Sequence, residues 1–265
     1  MDNLIISEVN SNHFSQTVIK AITLFEMIAF SDHPIKIRDL AEMTKLPRPT
    51  VYRLVHTLQA CGYVKQNPDN SYELSTKLLK ISRQLLDHLD IRVLAKPILR
   101  HLRSITNETA ILAVREGENV FYIGNFESTQ ALRSHSRMGT LDPIYSTAVG
   151  KAMLAFLPRQ EMERIMAELK LIQLTKLTIT NRTALLQQLH EVHTQGYAIE
   201  KEENEEGICS IAAPIFEHHH RVAGALGISG PSSRLTDDQI SKFCEYVVEA
   251  GNNLSRLMGY EASNK

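Results

Sequence analysis

Between Leu46 and Val64, polar residues that could touch nucleic acid alternate with apolar ones at helical spacing. Val51, Leu54, Val55 and Leu58 recur at i, i+3, i+4 and i+7, the pattern of one buried helix face. At about 100° per residue, Tyr52, Arg53 and His56 then fall on the outer side. Arg48 and Thr50 stand at the N-terminal end, which enters a major groove first. From Lys45 to Pro68 there are four Lys or Arg and no Asp or Glu, in a chain whose formal net charge is -1. Local positive charge beside hydrogen-bonding side chains suits the phosphates and base edges of double-stranded DNA.

Three other clusters invite chemistry. Tyr145 to Ala152 approximates a phosphate loop, but its first glycine is missing and Ala152 replaces the hydroxyl residue that would hold Mg²⁺. No nucleotide or other cofactor is expected from it. If Ser146 to Val149 open a helix, their free N–H groups suit a carboxylate; an N-cap satisfied by its own Ser or Thr is the alternative. Glu200 to Glu206 is strongly acidic, and on charge alone reads as a solvated face. His218, His219 and His220 are consecutive in a turn, so their side chains diverge, and no second cluster accompanies them; exposed histidines are expected rather than a metal site.

These residues need elements to hold them. Residues 16 to 30 carry a helical stripe of Val18, Ile19, Ala21, Ile22, Leu24, Phe25, Ile28 and Ala29. A short helix follows Lys36-Ile37 and gives Ile37, Leu40, Ala41 and Met43 to the core. Thr44 to Pro47 form a turn, and Pro49 lies in the first turn of the basic helix, where a missing N–H costs nothing. Gly62 ends that helix. Tyr63 to Gln66 and Ser71 to Leu74 read as strands about the turn Asn67 to Asn70. The sum is a winged helix-turn-helix, which favours DNA binding over a small helical dimerisation domain with a solvated basic face.

Thr76 to His88 reads as an apolar linker helix, and residues 91 to 105 as an amphipathic one with Val93, Leu94, Ile98, Leu102 and Ile105 inward. Two hairpins follow: Ala110–Val114 with Val120–Ile123, and Ser210–Phe216 with Val222–Ser229. Helices are expected around Ser146–Phe156, Arg159–Leu169, Thr183–Gln195 and Asp237–Met258. Hairpins at both ends with helices between imply a two-domain α+β protein whose second half is built on an antiparallel sheet.

Leu40-Ala41, Leu46-Pro47-Arg48-Pro49-Thr50-Val51-Tyr52-Arg53-Leu54, Gly62-Tyr63-Val64 and Tyr72-Glu73-Leu74-Ser75 resemble the winged domain of the IclR-type transcriptional regulators. From Phe14 almost to the C-terminus the resemblance persists through Leu132-Arg133, Ala148-Val149-Gly150-Lys151-Ala152, Ala212-Ala213-Pro214 and Ser229-Gly230-Pro231. It implies a DNA-binding domain at 14–75, a linker helix at 76–90 and a GAF-like effector-binding domain at 91–262. DNA contacts are then expected from Arg38, Arg48, Thr50, Tyr52, Arg53, His56 and Lys65. The implied effector residues are Arg133, Asp142, Tyr145, Ser146, Thr147, Ala148, Val149, Glu200, Ser210 and Ser229, with Glu200 accepting hydrogen bonds from effector hydroxyls.

The likeness is strongest to regulators of sugar-acid use, such as the 2-keto-3-deoxygluconate repressors. It implies operator DNA and a small organic acid as partners, and a homodimer that assembles as a tetramer on DNA. Pro49 stands where the family has Ser, Ser210 where many relatives have Cys, and Gly227 where a pocket serine occurs. The alternative is an enzyme or acid-binding protein acting on its ligand through the C-terminal domain, although no Ser-His-Asp order, metal set or cofactor loop supports catalysis.

Composition sets outer limits. The chain has 265 residues, 43% hydrophobic and 22% charged, as an ordinary soluble protein of one large or two smaller domains does. Three scattered cysteines without a CxxC give neither a disulfide framework nor a zinc knuckle, and a reducing cytoplasm fits best. With Asp2 and Glu8 near the start and no long apolar run, neither export nor membrane insertion is expected.

Overall fold

The computed structural model describes residues 14–81, 90–134 and 138–261. The chain divides into two compact units, residues 1–88 and 89–265. In the first, α1 (Gln16–Ala29), β1 (Ile35–Lys36), α2 (Ile37–Thr44), α3 (Arg48–Ala60), β2 (Val64–Gln66) and β3 (Ser71–Leu74) follow one another. The strands form an antiparallel sheet in the order β1-β3-β2. Leu24, Ile28, Leu40, Val51, Leu54, Val55, Val64 and Tyr72 close the core beneath it. Lys45 takes a left-handed conformation (φ 56°) to turn the chain from α2 into α3, and Gly62 (φ 78°) turns it from α3 into the wing.

The two-residue strand β1 was not foreseen, because Ile35-Lys36 is too short to show an alternation. Met43 is exposed rather than part of the core, since Leu40 and Ala41 already fill the buried side of an eight-residue helix. Residues 77–81 are helical, with Leu79 and Ile81 exposed. The remainder of the expected linker helix, 82–88, lies outside the described residues.

The second unit contains α4 (Ile91–Thr106), β4 (Thr109–Glu116), β5 (Asn119–Phe126), β6 (Leu141–Pro143), α5 (Ala148–Leu154), α6 (Arg159–Glu168), α7 (Arg182–Gln195), β7 (Ala198–Lys201), β8 (Ile208–Phe216), β9 (Val222–Pro231) and α8 (Asp237–Leu257). Six antiparallel strands form one sheet, ordered β6-β5-β4-β9-β8-β7. Side chains alternate between its faces. Ala110, Leu112, Cys209, Ile211, Ala213, Leu226 and Ile228 pack with α4 and α8, whereas Ile111, Ala113, Val120, Tyr122, Ala212 and Ala225 pack with α5, α6 and α7. Helices on both faces of an antiparallel sheet give the α+β, GAF-like arrangement.

On α4 the buried stripe is Ala95, Ile98, Leu99, Leu102 and Thr106; Val93 and Ile105 are exposed, a correction to the expected inward face. Strands β6 and β7 were also not foreseen. β6 has three residues and ends in proline, and β7 runs into the acidic stretch that hid it.

Candidate functional site

The basic residues of the first unit differ in what surrounds them. Arg48 and Arg53 are exposed on α3 and have no acidic partner among the described residues, and Tyr52 beside them is also exposed. Thr50 is half-buried in the first turn. Lys65 on β2 is exposed but pairs across the wing with Glu73 at 2.8 Å, and Arg38 donates to Asp39 at 3.2 Å. His56 departs from the expected outer placement. It is half-buried, its Nε2 lies 3.4 Å from the hydroxyl of Tyr72, and its ring stacks on Tyr52 with centroids 4.1 Å apart. The wing strand folds back over that side of the helix, so His56 braces α3 against β3. Pro49 occupies the start of α3, where no side-chain cap forms.

In the second unit, the cross-strand register builds the site. Glu200 of β7 stands opposite Ser210 of β8, and Ser210 opposite Ser229 of β9, so the three share one sheet face. Ser210 donates to Ser229 at 3.0 Å and Ser229 to Ser134 at 2.8 Å, a chain of hydroxyls along the wall of a cavity. That cavity has a volume of about 360 Å³. Asp142 enters from β6, Thr147, Ala148 and Val149 from the start of α5, and Asn204 and Glu205 from the loop after β7. A broader, more open groove of about 1090 Å³ runs along α8 past Tyr197, Val248 and Asn252, and holds none of the expected site residues.

The helix that borders the cavity packs unusually close to the chain before it. Thr147 caps α5 by accepting from Gly150 N–H at 3.1 Å, and the first intrahelical bond runs from Lys151 N–H to Thr147 O at 3.0 Å. The N–H groups of Ala148 and Val149 precede that bond, and both residues line the cavity. A Cβ at Gly150 would lie 2.0 Å from Ile144 O, so only glycine allows the approach. On β9, a Cβ at Gly227 would meet Ile211 O at the same 2.0 Å. Gly227 therefore has no room for a side chain, and it lies outside the cavity lining.

A buried polar frame supports the acidic side of the cavity. Lys151, fully buried, pairs with Glu203, itself almost fully buried. Burial pushes the Lys151 ammonium down, and the contact with Glu203 opposes that shift. Thr175 donates to Glu202 O at 2.6 Å and Thr178 to Glu203 O at 2.7 Å, which anchors the loop. Glu200 is 2% exposed and accepts the N–H groups of Glu203 (2.6 Å) and Asn204 (3.2 Å), both on Oε1. Burial pushes its carboxyl up to about 7 against the pull of those N–H groups and of Lys151. The Tyr122 hydroxyl is raised by burial and then by Asp142.

Of the residues expected here, Asp142, Thr147, Ala148, Val149, Glu200, Ser210 and Ser229 meet around the cavity. Three do not. Arg133 is exposed, with its guanidinium on Glu127 at 3.1 Å. Tyr145 points into the core, where its hydroxyl donates to Ile172 O (2.8 Å) and accepts from Ile172 N–H (3.0 Å). Ser146 lies behind the wall and donates to Asn204 Oδ1 at 2.8 Å, so it orients a lining residue instead of lining the cavity. The sequence reading missed Tyr122, Ser134, Asn204 and Glu205. Tyr122 was discoverable, since it alternates with Val120 on one face of a recognised strand; the others come from loops that carry no periodicity.

His218, His219 and His220 lie exposed in the β8–β9 turn, and His220 packs against Tyr260 with centroids 5.1 Å apart. Among the described residues, no group of three His, Cys, Asp or Glu is arranged to hold a metal ion. No described helix is long and apolar enough to cross a membrane.

A winged helix-turn-helix with unpaired arginines, joined to a sheet domain that encloses a small polar cavity, defines a class of two-part regulatory proteins. The comparisons with known proteins name the family. Residues 17–68 match the IclR helix-turn-helix domain, and residues 83–256 match the bacterial transcriptional regulator IclR C-terminal domain. The chain belongs to the IclR family of transcriptional regulators.

Among its relatives is the HTH-type transcriptional regulator XynR of Escherichia coli strain K12, 34% identical over 93% of this chain and 98% of that one. The HTH-type transcriptional regulator KdgR of the same organism is 32% identical over 92% and 93%. The crystal structure of an IclR transcriptional regulator from Silicibacter sp. TM1040 superposes with a TM-score of 0.82 at 28% identity, covering 94% of this chain and 98% of the other.

Proposed function

We propose that this protein is a non-enzymatic transcriptional repressor whose hold on operator DNA is released by a small polyhydroxy acid bound in the cavity of the second unit. The observation that carries the reading is the cavity itself. About 360 Å³ suits a six-carbon acid, and its wall combines polar residues (Ser134, Thr147, Ser210, Ser229, Asn204) with Ala148 and Val149, the two residues that open α5. With two turns, α5 contributes little dipole, so their N–H groups act as plain donors to an acid oxygen. A sugar acid such as 2-keto-3-deoxygluconate offers matching hydroxyls. The resemblance to sugar-acid regulators and the 32% identity to KdgR point the same way.

On the DNA side, Arg48 and Arg53 make the phosphate and base-edge contacts, with Thr50 and Tyr52 beside them. Lys65 and Arg38 contribute less because each already faces a carboxylate. Two copies of the winged domain read the two halves of an operator, and two dimers assemble as a tetramer on DNA. Differential affinity of the acid for the DNA-free arrangement supplies the switch.

The test measures operator binding by fluorescence anisotropy with and without sugar acids. Wild type should release DNA on addition of acid. Ala148→Tyr, which fills the cavity beside α5, should bind DNA normally and ignore the acid. A normal acid response in that variant places the effector elsewhere, and steady turnover of the acid replaces a regulator with an enzyme.

A further inference from the structure

We propose that Glu200 meets the effector as a neutral carboxylic acid, so that each acid anion enters the cavity together with one proton. The proposal rests on the acid-effector reading above and reverses the role that family resemblance implied for Glu200, from acceptor to donor.

Geometry supports it from three sides. Glu200 is buried at 2% exposure, and both of its backbone hydrogen bonds fall on Oε1. The same side chain lines the cavity. A carboxylate held out of water beside other carboxylates is costly to ionise, and a proton on it converts a repulsive acceptor into a hydrogen-bond donor.

The charge around it leads to the same answer. The described lining contains Asp142 of β6 and Glu205 of the following loop, with no Lys or Arg. Tyr122 of β5 lines it too, and Cys209 of β8 feels the same carboxylate. Lys151 of α5, the cation that acts on Glu200, is already paired with Glu203 of the loop, while Lys201 of β7 is exposed and pairs with Asp237 at 2.5 Å. A ligand carboxylate added to this enclosure repels any ionised Glu200 at low effective dielectric. With the free group held near 7 by burial, the bound anion raises it further, and protons are taken up on binding in the neutral range.

The sign of the linkage follows. Above the free group's value and below the bound group's value, affinity falls about tenfold per pH unit. Glutamine keeps an oxygen for the two N–H groups and offers an N–H₂ in place of the proton, so Glu200→Gln should bind with no such slope.

Calorimetry with 2-keto-3-deoxygluconate and D-gluconate, in two buffers of different ionisation enthalpy across the neutral range, counts the protons. Wild type should take up about half a proton at pH 7 and close to one by about pH 8, and Glu200→Gln close to none at either. ¹³C NMR of labelled glutamate in the ligand-free protein provides a second readout that needs no effector. Glu200 should titrate near neutrality. Titration in the ordinary carboxylate range, or acid binding without proton uptake, overturns the proposal and leaves the effector reading intact. If neither acid binds at any pH although Glu200 titrates near neutrality, the acid reading of the cavity falls, and proton-coupled binding with it.

Discussion

Arg53 and Lys65 carry the same charge but differ in what surrounds it. Arg53 has no acidic partner among the described residues, whereas Lys65 is neutralised by Glu73 across the wing. Arg53→Ala should therefore weaken operator binding and lower the slope of log K against log salt by about 1, while Lys65→Ala should change either quantity less. A salt titration of both variants checks the contrast. The three cysteines separate in the same way. Cys61 is exposed just past the end of α3, whereas Cys209 and Cys244 are buried, and burial pushes the Cys209 thiol up to about 11. At pH 8 a thiol reagent should modify Cys61 in the native protein and leave the other two until unfolding, read by mass spectrometry. The identities of these groups are plain in the sequence. Their partners are not, because Glu73 and Tyr72 reach α3 and β2 only through the fold of the wing.

Element pairing explains why Gly227 and Lys151 cannot be exchanged. Gly227 faces β8 so closely that Gly227→Ser should displace the strand and cost about 1–3 kcal/mol or more. The melting temperature should fall, and no hydroxyl should be gained in the cavity. Lys151→Met leaves Glu203 buried without its cation and should cost about 3–5 kcal/mol in denaturant unfolding, whereas Lys151→Met with Glu203→Leu should recover most of that. Strands β4, β5, β8 and β9, apolar runs set in pairs about turn residues, were legible in the sequence, and so were the long helices. The short edge strands β1, β6 and β7 were not: two to four residues carry too little pattern, and their strand identity comes from the neighbour that pairs with them.

For the molecule as a whole, two compact units predict two separable activities. Residues 90–261 expressed alone should melt cooperatively and be stabilised by sugar acids, since a ligand that binds only the native state raises its melting temperature. The structure of the C-terminal domain of E. coli KdgR, solved by itself and 32% identical, shows that a relative's second half stands alone.

The amino-acid sequence by itself determined the winged helix-turn-helix, the antiparallel hairpins of the second half and the basic outer face of α3. All of these follow from periodicity and local turn chemistry, which act between near neighbours. Only the tertiary structure decided which polar residues share a cavity. Glu200, Ser210 and Ser229 come together by cross-strand register, and Asn204 and Glu205 by a loop tied to Thr175 and Thr178. Arg133, Tyr145 and Ser146 are turned away by bonds to Glu127, Ile172 and Asn204. Burial of Glu200 is likewise a product of packing between distant segments, and it is burial that moves its proton into the neutral range.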